Sequence, residues 1–132
     1  MNVLIVDDHK IIRDSIKLVL KLNFNFGYID VATNGLEAVD MVSEKHYDLV
    51  LMDISMPIMD GVTATQKIMS KKGNEKIKIL GVSMHTNQLD IDKMKAAGAR
   101  GYLIKEKIGE HLKWAIEQML SNAPFFIISF ED

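Results

Sequence analysis

Short, unbroken apolar runs punctuate this chain, and they restrict its fold more than any other feature. Val3-Leu4-Ile5-Val6 is one such run and Leu49-Val50-Leu51-Met52 another. Four residues are too few for a helix, and the lack of alternation means that both faces are covered. Runs of this kind, separated by helical patterns, read as buried parallel strands. Strands are expected over Val3–Asp7, Tyr28–Ala32, Leu49–Asp53, Ile77–Val82 and Gly101–Ile104. Helical stripes lie between them: Ile12, Ile16 and Val19; Leu36, Val39 and Val42; Val62, Thr65 and Ile68; Ile91, Met94 and Ala97, closed by Gly98. Ile108, Leu112, Ala115 and Met119 follow the last strand. Five βα units joined by right-handed crossovers give an α/β fold: a five-stranded parallel sheet, doubly wound as (βα)5 in a three-layer αβα sandwich.

The chain has 132 residues, enough for one domain with a genuine core. Sixteen basic residues against eighteen acidic ones give a net charge of −2, which argues against nucleic-acid binding by this segment itself. There is no cysteine, hence no disulfide framework and no thiolate metal site. No apolar stretch is long enough to span a membrane, and a soluble, cytoplasmic domain is expected. The pattern divides the chain into a domain over residues 1–121 and a tail over residues 122–132. The break Ser121-Asn122-Ala123-Pro124 spans that boundary, and the tail continues as Phe125-Phe126-Ile127-Ile128-Ser129-Phe130. A free segment this apolar and β-prone is an aggregation hazard. It must fold back, pair with a second chain or belong to a longer protein, and the start of a linker is the expected reading.

The chemistry follows from where the acids fall. Asp7 and Asp8 end the first strand and Asp53 ends the third, so three carboxylates meet at the carboxyl edge of the sheet, where open α/β folds place their ligands. Two unit charges about 4 Å apart at an effective dielectric near 20 repel by roughly 4 kcal/mol. The cluster therefore calls for a proton or a cation, and hard oxygen ligands beside solvent suit Mg²⁺. Ser83 and Lys105 end the fourth and fifth strands and reach the same edge. A hydroxyl and an ammonium facing carboxylates are what a phosphoryl group on Asp53 would need. Asp53 is then the nucleophile, with Mg²⁺ held by Asp8, Asp53 and the Ser55 backbone carbonyl, and Asp7 acting through water in the metal shell.

Ile5-Val6-Asp7-Asp8-His9, Met52-Asp53-Ile54-Ser55-Met56-Pro57-Ile58-Met59-Asp60-Gly61, Ser83-Met84-His85 and Gly101-Tyr102-Leu103-Ile104-Lys105 resemble the receiver domain of bacterial response regulators. The resemblance covers about residues 3 to 120 and implies the flavodoxin-like, CheY-like fold. It implies that Asp53 accepts a phosphoryl group from a sensor histidine kinase, that Asp7 and Asp8 serve the metal, and that Ser83 and Lys105 hold the phosphoryl group. It also implies that Tyr102 turns inward when Ser83 moves, with the fourth helix, fifth strand and fifth helix as readout surface and as a homodimer face. Asp7-Asp8-His9, Ser83-Met84-His85 and Ala99-Arg100-Gly101-Tyr102-Leu103 are similar to the NarL/FixJ-like subfamily, whose members usually carry a LuxR-type helix-turn-helix after the receiver. DNA binding would then belong to a domain absent from this chain. Glu106 stands where many receivers have proline.

Taken singly, each residue has a plainer reading. Asp7-Asp8 suits a helix start, Lys105 a solvated surface, Ser83 a loop cap and Tyr102 the core. Their conjunction favours function. His9 and His85 lack metal-ligand spacing with each other and are at most tuning residues, as Ser55 also is through water access. Trp114 projects opposite the fifth helix's apolar stripe, toward a partner or toward Phe125 and Phe126. A stand-alone docking module is the main rival. A Mg²⁺-dependent phosphatase of the haloacid-dehalogenase type fares worse, because Ser55 stands where a second aspartate is needed. A flavin-phosphate site fails on charge, since Asp7-Asp8 would repel the phosphate.

Overall fold

The computed structural model describes residues 1–128. Its elements alternate strictly: β1 (Val3–Val6), α1 (Lys10–Asn23), β2 (Ile29–Ala32), α2 (Gly35–Glu44), β3 (Leu49–Met52) and α3 (Gly61–Ser70). β4 (Lys78–Ser83), α4 (Gln88–Ala97), β5 (Gly101–Ile104), α5 (Ile108–Leu120) and β6 (Phe126–Ile128) complete it, with a single 3-10 turn at Lys105–Lys107. The strands form one sheet in the order β2-β1-β3-β4-β5-β6, every neighbouring pair parallel.

The expected sheet of five strands is therefore corrected to six. The additional strand comes from the tail, where Phe126, Ile127 and Ile128 align with Gly101, Tyr102 and Leu103 of β5. Of the three fates open to this apolar segment, folding back is the one adopted as far as Ile128. Ser129 and Phe130, also part of the expected tail run, lie outside the described residues, as do Glu131 and Asp132.

The unbroken runs are buried on both faces because helices cover both. On one face Leu4, Val6, Val50, Met52 and Ile79 pack with Ala38 and Val42 of α2, Ala64 and Ile68 of α3, and Ile91 and Met94 of α4. On the other, Val3, Ile5, Leu49, Leu51 and Leu80 pack with Ile16 and Leu20 of α1 and with Leu112, Ala115 and Met119 of α5. The α4 and α5 stripes are buried as the spacing predicts. In α2 the buried face is Gly35, Ala38 and Val42, while Leu36 is exposed. The cause is close approach: a Cβ on Gly35 would lie 2.5 Å from the Met59 carbonyl oxygen, so α2 meets the β3–α3 loop through its smallest residues. Gly98 ends α4 in the left-handed conformation, at φ 114°, which glycine adopts without steric penalty. No helix among the described residues is long and apolar enough to cross a membrane.

Candidate functional site

Because all strands run parallel, Asp7, Asp53, Ser83 and Lys105 all arrive at one rim. Asp7 follows β1, Asp53 follows β3, Ser83 ends β4 and Lys105 follows β5, and these four strands are consecutive in the sheet. All four residues are buried, at 1%, 3%, 0% and 7% exposure. Lys105 stretches its ammonium between the two carboxylates, 2.8 Å from Asp7 Oδ2 and 3.3 Å from Asp53 Oδ2. Asp53 Oδ1 accepts from the Ile54 backbone N–H at 2.8 Å. Asp7 Oδ1 accepts from the His9 backbone N–H, also at 2.8 Å, which pins the start of α1 to the site. Arg13 donates to the Asp7 carbonyl at 2.9 Å.

Electrostatically the rim is under-neutralised. Asp7 Oδ2 and Asp53 Oδ2 sit within ion-pair range of Lys105, yet neither is engaged at a proper hydrogen-bonding angle. Burial, reinforced by the Asp7 charge, raises the Asp53 carboxyl above the usual carboxylate range, although Lys105 opposes the shift. Asp8 is the solvent-facing member. One ligand atom from each of Asp7, Asp8, His9 and Asp53 lies within 4.8 Å of the others. Two carboxylates sharing one buried ammonium, a third beside them facing solvent, and two buried oxygens short of hydrogen-bond partners fit a divalent cation with hard oxygen ligands. Ser55 is exposed in the loop between β3 and α3. It borders a cleft with Ile54, Asp60, His85 and Lys93.

Two features of the rim go beyond the residue-by-residue reading. His9 places Nδ1 3.0 Å from Asp7 Oδ1 and 3.2 Å from Asp8 Oδ1. Spacing between the histidines carries no sign of this, because the partners of the His9 ring are the acids directly before it. Gly61 is the second. Its N–H donates to the Ile54 carbonyl at 2.7 Å, and a Cβ there would fall 1.8 Å from the Asp53 carbonyl oxygen. The sequence segment Asp60-Gly61 did carry that signal, because only glycine allows backbone to press this closely on the residue being positioned.

Ser83 and Tyr102, the residues expected to switch, are joined through the loop after β4. Ser83 Oγ accepts from the His85 N–H at 3.0 Å. Tyr102 is 1% exposed, so its ring already points inward, and its hydroxyl donates to the His85 carbonyl at 2.7 Å. Burial pushes the Tyr102 phenol above its ordinary pKa. The His85 ring sits 2.9 Å from Asp90, which also accepts from Asn87, the residue capping α4. The loop after β4 is thereby tied to Tyr102 on one side and to α4 on the other.

The comparisons with known proteins agree with this geometry. The family model described as the response regulator receiver domain matches residues 3–117. The transcriptional regulatory protein DegU of Brevibacillus brevis is 31% identical over 125 residues, covering 95% of this chain and 52% of that protein. The chain spans about half the length of the curated relatives it matches. A two-component response regulator of the LuxR family from Aurantimonas sp. SI85-9A1 superposes with a TM-score of 0.86 at 28% identity, covering 98% of this chain and 90% of that one. The receiver domain of the sensor histidine kinase PA1611 of Pseudomonas aeruginosa PAO1, whose active-site cleft coordinates a magnesium ion, matches with a TM-score of 0.78 at 26% identity, over 91% of this chain and 97% of that one. Four buried polar residues converging on one rim, in a chain so matched, identify a signalling module: this chain belongs to the response regulator receiver domain family.

Proposed function

We propose that Asp53 is the phosphoacceptor of a cytoplasmic two-component relay. The observation that carries this reading is Lys105, a buried ammonium held between Asp7 and Asp53 at 2.8 and 3.3 Å. An Asp53 carboxylate oxygen attacks phosphorus in the phosphohistidine of a sensor kinase. The new O–P bond gives an acyl phosphate as the P–N bond breaks, and the imidazole nitrogen leaves with the electron pair. Bound Mg²⁺ supplies positive charge that offsets the charge building on the transferring group. Asp8, Asp53 and the Ser55 backbone carbonyl would hold it, with Asp7 reaching it through water. Lys105 then pairs with one phosphoryl oxygen and the Ser83 hydroxyl donates to another. Water ends the state by attacking phosphorus, releasing phosphate and restoring the carboxylate.

The added charge, about −1.5 to −2, has Ser83 and Lys105 as partners in only one arrangement of the loops after β3 and β4. The population moves toward that arrangement by the difference in contacts. Tyr102 is tied to the loop that carries Ser83, so it is the residue through which α4, β5 and α5 register the change. Control of transcription would pass through a LuxR-type helix-turn-helix beyond this segment, with homodimerisation on the same face. Residues 1–121 are the phosphoacceptor domain in this reading, and residues 122–132 lead toward that output.

Intact-protein mass after incubation with acetyl phosphate, with and without Mg²⁺, tests the site. A Mg²⁺-dependent gain of one phosphoryl group that disappears in Asp53→Asn is the expected result. A folded, Mg²⁺-loaded sample that takes no adduct would instead support a docking module.

A further inference from the structure

β6 hydrogen-bonds along the edge of β5, and β5 is the strand that carries Tyr102 and leads directly into Lys105. The register pairs Gly101 with Phe126, Tyr102 with Ile127 and Leu103 with Ile128. The pairing is built in side chains as well as backbone. A Cβ on Gly101 would lie 2.5 Å from the tip of the Phe126 ring, so the ring occupies the space that the glycine leaves on the strand. An aromatic laid over a cross-strand glycine in this way repairs the weakness glycine brings to a sheet. Phe126 also meets Trp114 of α5 edge-on, with ring centroids 5.4 Å apart. Its neighbour Phe125 lies under the Lys95 ammonium of α4 at 5.3 Å. Three consecutive elements, α4, β5 and α5, thus each hold a piece of the tail.

The hold is nevertheless slight. β6 has three residues, Ile127 is 39% exposed and Trp114 45%. Short edge elements with few buried contacts open locally at low cost compared with the core. The site lies a short step away. Lys105 directly follows β5 and at present sits closer to Asp7 than to Asp53. The closer link runs through Tyr102, which pairs with Ile127 and donates to the His85 carbonyl in the loop that follows Ser83, so a rearrangement of that loop around a phosphoryl group on Asp53 reaches the residue opposite the strap.

We propose that β6 is a strap whose hold on the β5 edge is set by the state of the Asp53 site, so that the phosphorylated domain releases Phe126–Ile128 from β5. This rests on the phosphoacceptor reading above. Release uncovers the edge of β5 between α4 and α5, so the tail and any partner for that edge exclude one another. The coupling is reciprocal, because whatever loosens the strap favours the phosphorylated arrangement by the same factor.

The test uses the full chain and begins by verifying the adduct by intact mass with acetyl phosphate and Mg²⁺. A folded chain that takes no adduct overturns the phosphoacceptor reading, and the coupling falls with it. With the adduct formed, hydrogen exchange in the peptide spanning 126–128 is expected to accelerate about 5-fold or more. Acrylamide quenching of Trp114, the only tryptophan in the chain, is expected to rise in parallel. Full adduct with unchanged exchange and quenching overturns the strap and leaves the phosphoacceptor standing.

Two variants outside the site secure the interpretation. Phe126→Ala is expected to form the adduct normally while Trp114 is already quenched to the released level before phosphorylation. Gly101→Ala expels the ring and is expected to produce the same released signature. Once Phe126 is alanine, adding Gly101→Ala is expected to change the quenching no further. A Gly101→Ala chain that keeps Trp114 shielded would show that the ring is not seated on Gly101 and would refute the strap.

Discussion

Lys105 serves two buried carboxylates at once, and its removal leaves both uncompensated. Breaking a buried ion pair by deleting one partner typically costs about 3–5 kcal/mol. Lys105→Ala is therefore expected to lower the thermal midpoint sharply in the absence of divalent cation and to regain much of the loss on adding Mg²⁺. Melting curves with and without Mg²⁺ check this, and a variant as stable as the parent without metal would count against the pairing. Asp53→Asn should act in the opposite sense. Removing a charge from a rim that already holds more acid than base is expected to raise the midpoint by a few degrees at neutral pH without metal. The convergence of Asp53, Ser83 and Lys105 on one rim was legible in the sequence because each directly ends a strand, and a parallel sheet brings strand ends together. The contact of His9 with Asp7 and Asp8 was not, since it depends on a side-chain rotamer that spacing does not encode.

At the scale of elements, the segment from β3 to α3 does the positioning, and it does so through a turn that the backbone tolerates poorly. The Met59 N–H reaches back to the Pro57 carbonyl at 2.8 Å across Ile58, whose φ is 70°. A β-branched residue with positive φ is a true outlier. Ile58 is 77% exposed and contributes little packing in return. Ile58→Asn is expected to stabilise the fold by about 1 kcal/mol, because asparagine accepts this conformation, and urea unfolding reads it directly. One turn later Asp60 caps α3, accepting from the Thr63 N–H at 2.7 Å. Asp60→Ala should cost about 1 kcal/mol, whereas Gly61→Ala drives a methyl into the Asp53 carbonyl and should cost on the order of 3 kcal/mol along with adduct formation.

Elements of this kind were readable where apolar runs or helical stripes were strong, and β5 matches its expected span residue for residue. The buried face of α2 was not readable, because its contact with the Met59–Asp60 backbone favours Gly35 and Ala38 over the more apolar Leu36. β6 was missed for a similar reason. Its partner Gly101 lies 25 positions earlier in the register, and no local pattern announces that a glycine on one strand is waiting for a ring from another.

Across the whole molecule, the two ends of the sheet answer pH in opposite senses. Near the amino ends of the strands the Asp30 carboxyl is held below the usual range, by Lys45 first and then by the Tyr47 hydroxyl. The Tyr47 hydroxyl donates to it at 2.6 Å. A depressed carboxyl gives stability above its unfolded pKa and loses it as pH falls through the folded value. Asp53 at the carboxyl rim is raised instead. The folded chain binds its proton more tightly than the unfolded chain, so stability declines as pH rises from the ordinary carboxylate pKa through the raised one. Stability measured against pH without metal should therefore show a shallower acid-side fall in Asp30→Asn, with Asp48 and the other lowered carboxyls supplying the rest, and a weaker decline at higher pH in Asp53→Asn. Parent and variants with superimposable profiles would refute the assignment.

The direction of β6 has a consequence for reach. As a parallel strand it runs toward the rim that holds Asp53 and ends there at Ile128, opposite Leu103. Anything tethered at that end would be moored on the rim where Asp53, Ser83 and Lys105 converge, so the length of its tether becomes a steric dial on access to those residues.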